Sequence, residues 1–275
     1  MSTDGLSTAQ QKMADAGVPQ TAIDVFTHYY GQLEEGVTGS IPEDTIEPYL
    51  DPPKLDDVRI DPAHAKQVFD KLAIINLNGG LGTSMGLDKA KSLLPVRDGK
   101  SFLDIIVEQV LAARRGTGSP LPLIFMNSFR TREDTLEVLA KYPDLPVGDL
   151  PLDFLQNKEP KLRTDDLTPV QWEADPSLEW CPPGHGDIYT ALQTSGVLQQ
   201  LLEAGFRYAS VSNSDNLGTV PNPVIASWFA STVFSLRISG SPITPSRSLS
   251  TASSCSRSNH RLLVWKYGWR CSSVK

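Results

Sequence analysis

The sequence has few cysteines, no long apolar run and no acidic residue beyond Asp215. The three cysteines, Cys181, Cys255 and Cys271, form no CxxC pair, which argues against a disulfide framework and against a cysteine zinc site. No uninterrupted apolar stretch approaches the ~18 to 20 residues that a membrane span requires. The start of the chain also lacks the charged-then-apolar pattern of a signal peptide. We therefore expect a cytoplasmic globular protein that has no membrane partner.

The charge balance is acidic, with 32 Asp and Glu against 25 Lys and Arg, which gives a formal net charge of -7 over 275 residues. Because phosphate backbones attract basic surfaces, this balance argues against binding of nucleic acid through bulk charge. We expect no nucleic-acid partner. A polyanionic small ligand would need a local basic loop.

The C-terminal segment differs in composition from the rest. Its last 60 residues contain no acid but seven basic residues, and residues 231–275 contain thirteen serines. No helical or alternating apolar pattern continues past about Phe229. Two interpretations stay open: a basic disordered extension, or a segment foreign to the preceding domain, as a reading-frame change would produce. We favour the second, because the apolar cluster at 262–269 would have nothing to pack against. We expect 221–275 to be an aberrant or disordered tail on a truncated chain.

Before this tail, helical and strand patterns alternate. Helical patterns over 5–16 and 20–35, followed by a proline-punctuated connector, predict an N-terminal helical cap over 1–60. Helices are then expected at 62–71, 101–115 (capped by Ser101), 131–141 and 186–204, and strands at 72–77, 121–126, 152–156 and 206–211. Such alternation predicts a Rossmann-like α/β domain over 61–220 with an open, mostly parallel sheet. Ligands of such sheets bind at the carboxyl ends of the strands.

A glycine-rich loop follows the first predicted strand. Residues 78–92 contain four glycines, Gly79, Gly80, Gly82 and Gly86, followed within the same loop by Lys89 and Lys91. Glycines let backbone amides approach a phosphate closely, and lysines neutralise its charge, so the loop predicts triphosphate binding. It lacks the spacing of a Walker A loop. It also has Met85 where a dinucleotide fingerprint would need its third glycine.

Five segments resemble, in order and spacing, the motifs of the UTP-glucose-1-phosphate uridylyltransferases, the UDP-glucose pyrophosphorylases of the eukaryotic-like type. They are Leu77-Asn78-Gly79-Gly80-Leu81-Gly82-Thr83 with Lys89 and Lys91, Phe125-Met126-Asn127-Ser128-Phe129, Phe154-Leu155-Gln156-Asn157-Lys158, Pro182-Pro183-Gly184-His185-Gly186-Asp187, and Asn213-Ser214-Asp215-Asn216-Leu217-Gly218. The resemblance covers about residues 40–220 and stops after Gly218. It implies a nucleotidyltransferase domain that is incomplete on its C-terminal side, with an unpaired sheet edge.

The resemblance also implies a site for UTP, glucose 1-phosphate and Mg²⁺. The implied nucleotide-binding residues are Leu77, Asn78, Gly79, Gly80, Gly82, Thr83, Lys91, Gln156 and Asn213. Sugar-phosphate binding is implied for Gly184 and His185, metal binding for Asp215, and catalytic roles for Lys91, His185 and Asp215. Lys89 is the less favoured alternative to Lys91. Gln156 would present a donor and an acceptor to the uracil edge, and Asn127 is a further candidate for binding sugar or ribose hydroxyls.

Uridylyl transfer is an in-line attack by a phosphate oxygen of glucose 1-phosphate on the α-phosphorus of UTP, with pyrophosphate leaving. Because the nucleophile is already an anion, positioning and charge neutralisation suffice for catalysis. We expect the UTP-recognition residues to be present and turnover to be impaired. One alternative is a UDP-N-acetylhexosamine pyrophosphorylase, against which Ser84 counts because that family's loop usually has arginine there. Another is a non-catalytic nucleotide-binding or inert fragment. The oligomeric state is left open.

Overall fold

The computed structural model describes residues 3–37, 39–48, 50–51, 54–81, 89–238, 254–255 and 262–266. These residues group into two compact units. The smaller unit comprises the described residues within Met1–Leu50 and Gln156–Ser195, and the larger comprises those within Asp51–Leu155 and Gly196–Trp269. This division differs from the predicted boundaries of 1–60, 61–220 and 221–275. Within the described ranges, no helix combines the length and apolar character needed to cross a bilayer.

Helices and strands alternate along most of the chain, as the sequence predicts. The helices are α1 (Thr3–Asp15), α2 (Gln20–Glu34), α3 (Pro62–Phe69), α4 (Phe102–Thr117), α5 (Arg132–Leu139), α6 (Ile188–Thr194), α7 (Val197–Glu203) and α8 (Pro223–Ile238). The strands are β1 (Leu72–Asn78), β2 (Pro95–Arg97), β3 (Lys100–Ser101), β4 (Leu123–Asn127), β5 (Asp153–Leu155), β6 (Glu159–Pro160), β7 (Trp180–Cys181), β8 (Tyr208–Asn213), β9 (Ser254–Cys255) and β10 (Leu262–Lys266).

A mostly parallel sheet forms the centre of the larger unit, in the strand order β5-β4-β1-β8-β10-β9. Neighbouring strands are parallel except for β9, which is antiparallel to β10. β1 is buried at every residue, as its continuous apolar run predicts. From β1 the chain proceeds to β4 and β5 on one side and later to β8 on the other, so the sheet has its topological switch point between β1 and β8. The predicted α/β class is confirmed, and the switch point is where such sheets bind ligands.

Apolar side chains of α3, α4 and α8 form the core of the larger unit together with those of β1 and β4. The start of α4 is fixed by a capping box, as the Ser101 cap predicts. The Ser101 hydroxyl oxygen accepts a hydrogen bond from the Asp104 amide at 3.2 Å, and the Asp104 carboxylate accepts one from the Ser101 amide at 2.8 Å. This reciprocal pair satisfies two amides that a helix otherwise leaves without partners.

The predicted helix over 186–204 is wrong in its continuity. Gly196 has φ of 79°, a left-handed conformation that ends one helical segment and lets the chain begin another. As a result α6 and α7 are separate helices, and they belong to different compact units.

Within the range 221–275, for which an aberrant or disordered tail is expected, the structure has a regular helix, α8. α8 begins where the side-chain oxygen of Asn222 accepts hydrogen bonds from the amides of Val224 and Ile225, at 2.8 and 3.2 Å. Phe229 and Ala230 of this helix are buried in the core. α8 has apolar residues around much of its circumference, so it lacks the apolar-polar period on which the prediction relied.

The outer side of β8 is not an unpaired edge, contrary to expectation. β10 pairs with β8 in parallel, from Leu263 opposite Tyr208 to Lys266 opposite Val211. Leu262, at the start of β10, is only 1% exposed. The apolar residues at 262–266, which favoured a foreign segment, therefore extend the sheet.

The smaller unit packs α1 and α2 against the segment around β6 and β7. Met13, Phe26 and Tyr30 are buried there, with Leu167 and Trp180 packed on them. The Tyr30 hydroxyl donates to the Leu167 carbonyl at 3.0 Å, across 137 residues of chain. The predicted N-terminal cap is therefore part of a unit whose other half comes much later in the sequence.

Candidate functional site

The carboxyl ends of β1 and β8 are joined by hydrogen bonds from Ser214, the residue directly after β8. Its amide and its hydroxyl both donate to the Leu77 carbonyl, at 3.2 and 3.0 Å. The same hydroxyl lies 3.0 Å from the Asn78 side-chain oxygen. The segment predicted to bind metal is thus attached to the residues from which the glycine-rich loop begins.

Lys91 and Asp215 form an ion pair although 124 residues separate them in the chain. The distance from Nζ to Oδ2 is 2.8 Å, and the two side chains are 40% and 37% exposed. The Lys91 amide donates to the Gly80 carbonyl at 3.0 Å, so the loop closes on itself and brings the lysine back to the strand ends. Lys89 is exposed and has no ion pair among the described residues. The structure therefore brings Lys91, rather than Lys89, to Asp215.

Gly79 and Gly80 continue directly from β1. Gly80 is exposed, and a Cβ atom at this position would meet open space. The loop residues Gly82 and Thr83, which the resemblance implies for nucleotide binding, lie outside the described residues.

Asn213 ends β8 with a buried acceptor. Its Oδ1 accepts no hydrogen bond within the part of the chain that the structure describes. Buried polar atoms are usually hydrogen-bonded, so such an atom at a strand end is suited to a donor from a ligand, such as a hydroxyl group.

The Asp215 carboxylate can be compared with the ligands that metal ions usually take. No group of three or more His, Cys, Asp or Glu side chains that could hold a metal occurs among the described residues. Mg²⁺ usually binds through one or two carboxylates together with substrate phosphates and water. The half-exposed carboxylate of Asp215 fits this pattern.

Two asparagines from the predicted motifs serve the sheet itself. Asn78 donates through its side-chain amide to the Asn127 oxygen at 2.8 Å and to the Thr135 hydroxyl at 2.9 Å. Asn127 in turn donates to the Asp153 carboxylate at 3.2 Å, and Arg132 pairs with the same carboxylate at 2.8 Å. Asn78 is 2% exposed and Asn127 is 0% exposed. The Asn127 side chain thus makes its hydrogen bonds inside the sheet, and its candidate role in binding sugar or ribose hydroxyls stays a prediction.

Gln156, Gly184 and His185 belong to the smaller unit. Gln156 is 7% exposed, whereas His185 is exposed in the short 3-10 turn His185–Asp187. Gly184, just before this turn, has φ of 94° and ψ of -171°, a combination that is essentially restricted to glycine. The glycine of the motif is thus required by the backbone of the turn.

Asn157 and Asp187 connect the two motifs of the smaller unit. The Asp187 carboxylate accepts hydrogen bonds from the Asn157 amide at 2.6 Å and from the Asn157 side chain at 2.7 Å. The sequence pattern indicates no role for either residue. Both stand in the quoted motifs, but the sequence holds no signal that pairs them.

Glu159 carries a half-buried carboxyl group in this unit. Burial, together with the negative charge of Asp187, raises the pKa of Glu159 to about 7. Burial also raises the pKa of Asp187, although the hydrogen bonds from Asn157 act in the opposite direction. Burial raises the pKa of the Cys181 thiol as well, which makes it a poor nucleophile.

The fold and the site together define an α/β protein with a mostly parallel sheet: a glycine-rich loop follows the central strand, and a lysine and an aspartate meet at the switch point. Comparison with known families makes the class specific. The family model described as UTP-glucose-1-phosphate uridylyltransferase matches residues 23–238. The chain belongs to this family. The match extends beyond the range of about 40–220 that the motifs indicated, and it includes α8.

Individual relatives agree with this assignment. The UTP-glucose-1-phosphate uridylyltransferase of Solanum tuberosum is 42% identical over 179 residues, which are 65% of this chain and 36% of the relative. A variant UDP-glucose pyrophosphorylase from Leishmania major in complex with UDP-glucose is 40% identical with a TM-score of 0.78, over 85% of this chain and 48% of that chain. A UDP-glucose phosphorylase from Trypanosoma brucei is 38% identical with a TM-score of 0.78, over 84% and 49%. The chain thus spans about a third to a half of the length of these relatives.

Proposed function

We propose that this chain acts in uridylyl transfer, the conversion of UTP and glucose 1-phosphate to UDP-glucose and pyrophosphate. Family membership and the UDP-glucose bound by the Leishmania relative support this substrate class. The observation that carries the proposal is the ion pair of Lys91 with Asp215 beside the glycine-rich loop. It puts a cation suited to phosphates and an anion suited to Mg²⁺ at the same strand ends.

In the proposed reaction, a phosphate oxygen of glucose 1-phosphate forms a bond to the α-phosphorus of UTP while the bond to the pyrophosphate oxygen breaks. Lys91 contacts the UTP phosphates, and amides of the loop that begins at Gly79 bind phosphate oxygens. Asp215 would hold Mg²⁺, which would supply further neutralisation of phosphate charge.

Substrate binding then separates Lys91 from Asp215, because each side chain takes up its own ligand. A half-exposed ion pair contributes only ~0 to 1 kcal/mol, so this exchange of partners costs little. The buried Oδ1 of Asn213 accepts a hydrogen bond from a ribose hydroxyl. In the smaller unit, Gln156 binds the uracil edge, and His185 with the Gly184 turn binds the sugar phosphate.

The first test is a calorimetric titration of the chain with UTP, with and without Mg²⁺, on the parent and on Asp215→Asn. Asp70→Asn is the matched control, because Asp70 also pairs with a lysine at similar exposure, 47% for Lys66 and 38% for Asp70. Asp70 lies two residues before β1, at the opposite end of that strand from the glycine-rich loop. We expect Asp215→Asn to lose the Mg²⁺-dependent part of UTP affinity, on the order of tenfold or more, and Asp70→Asn to keep it.

Pyrophosphate release in the presence of glucose 1-phosphate tests turnover, and N-acetylglucosamine 1-phosphate in its place tests the alternative sugar. Release that depends on glucose 1-phosphate and on Asp215 supports the proposal in full. Binding without release limits the chain to nucleotide recognition, and absence of UTP binding by the parent contradicts the proposal.

A further inference from the structure

Both carboxylate oxygens of Asp187 accept hydrogen bonds from Asn157, the residue that follows Gln156 in the same motif. Oδ2 accepts from the Asn157 amide at 2.6 Å, and Oδ1 accepts from the Asn157 side chain at 2.7 Å. Thirty residues of chain separate the two partners. Charge-assisted hydrogen bonds of this length are about twice as strong as neutral ones.

The ordinary role for an aspartate at this position is excluded. Asp187 directly precedes α6, where an aspartate commonly caps the helix, yet its side chain makes no capping hydrogen bond. It is 8% exposed, and within the described part of the chain no lysine or arginine forms an ion pair with it. Burial of a carboxylate is unfavourable unless it is hydrogen-bonded. The two hydrogen bonds from Asn157 offset this cost for Asp187.

The bond to the Asn157 amide acts directly on Gln156. That amide belongs to the peptide plane that joins Gln156 to Asn157, so the bond fixes the orientation of the Gln156 carbonyl. The second hydrogen bond holds the side chain of Asn157. It thereby opposes rotation of residues 156–157 about the hydrogen bond to the Asn157 amide. Asp187 itself lies two residues after His185, in the same 3-10 turn.

We propose that Asp187 is a positioning residue that holds Gln156 in the orientation needed to bind uracil and couples this orientation to the turn that contains His185. The inference rests on the proposed function and deepens it, since it names a residue that sets the selectivity of the same site. Asp187 touches neither the base nor the reacting phosphates in this role.

The test compares the affinities for UTP and for inorganic tripolyphosphate, which lacks the base and ribose. Asp187→Asn keeps the size of the side chain but gives it an amide nitrogen that cannot accept from Asn157. Loss of one charge-assisted bond predicts UTP affinity lower by on the order of tenfold, with tripolyphosphate affinity unchanged. The matched control is Asp166→Asn in the same unit, because Asp166 likewise accepts from a backbone amide and a side chain, both of Thr168, at 3.0 and 2.7 Å.

Amide hydrogen exchange at Asn157, followed by NMR without nucleotide, provides a readout of the clamp itself. Exchange should become faster in Asp187→Asn and stay unchanged in Asp166→Asn. Equal losses of UTP and tripolyphosphate affinity, or a parent-like UTP affinity in Asp187→Asn, would overturn the positioning role alone. Failure of the parent to bind UTP would instead contradict the proposed function, and the assignment of Asp187 to uracil recognition with it.

Discussion

Replacing Glu159 by glutamine should remove the pH dependence of the free energy of unfolding that results from the raised pKa of Glu159 in the folded chain. The side chain of Glu159 is half-buried, and desolvation together with the charge of Asp187 raises its pKa from the ordinary value of 4.5 to about 7. In the unfolded chain the group is solvated, and its pKa returns to the ordinary value. The folded chain therefore holds the proton more tightly than the unfolded chain does.

The sign of the effect follows from this difference in pKa. The contribution of Glu159 to the free energy of unfolding is fully present below pH 4.5 and is lost as the pH rises through about 7. One pKa unit corresponds to about 1.4 kcal/mol, so the whole shift corresponds to about 3 kcal/mol. Burial raises the pKa of Asp187 as well, which adds a contribution of the same sign.

Glutamine resembles the protonated glutamic acid in shape and charge, so Glu159→Gln should be more stable than the parent by up to about 3 kcal/mol near pH 8. The two should be equally stable near the ordinary pKa. Urea unfolding followed by circular dichroism over about pH 5 to 8 measures the difference. Glu173→Gln is the control, because Glu173 is an exposed glutamate of the same unit. A difference between variant and parent that stays constant with pH, or that grows toward acid, would refute the reasoning.

Substitutions at three other positions test the local geometry. Asn78→Ala should lower the free energy of unfolding by roughly 2 to 4 kcal/mol in urea titrations, because the buried Asn127 and Thr135 oxygens lose their donor. A loss below about 1 kcal/mol would mean that these two hydrogen bonds contribute little to stability. Ser101→Ala should cost about 1 kcal/mol by removing the capping oxygen of α4, and an unchanged urea midpoint would show that the cap is dispensable. Gly184→Ala should cost about 1 to 3 kcal/mol because its φ of 94° strains any Cβ-bearing residue. A parent-like Tm would mean that the turn relaxes without cost.

The sequence predicts those parts of the fold whose signal is local. The buried run of β1 and the cap at Ser101 each follow from a few neighbouring residues, and the structure confirms both. Contacts between distant segments leave no such signal. The pairing of α1 and α2 with the segment around Leu167 is an example, and so is α8, whose apolar faces depend on the surrounding core.

The candidate site shows the same limit. Motif order predicted that Lys91 and Asp215 belong to one site, and the structure brings them to 2.8 Å. The motifs do not distinguish an asparagine side chain that is available to a ligand from one that is hydrogen-bonded inside the protein. Asn127 was a candidate for binding hydroxyl groups although its side chain is hydrogen-bonded inside the sheet. Asp187 received no role because its partner can be identified only in three dimensions.

Burial divides the polar residues at the carboxyl ends of the strands into two kinds. The side chains of Asn78 and Asn127 are inaccessible, and their hydrogen bonds join β1, β4 and β5. Lys91 and Asp215 are more than a third exposed and bind each other, so in the proposed reaction a phosphate and a metal ion would replace the two partners at little cost. A rigid layer of buried amides thus supports an adaptable layer of charges. Because the buried layer already fixes the strand ends, the charged layer can exchange partners in the proposed reaction without disturbing the sheet.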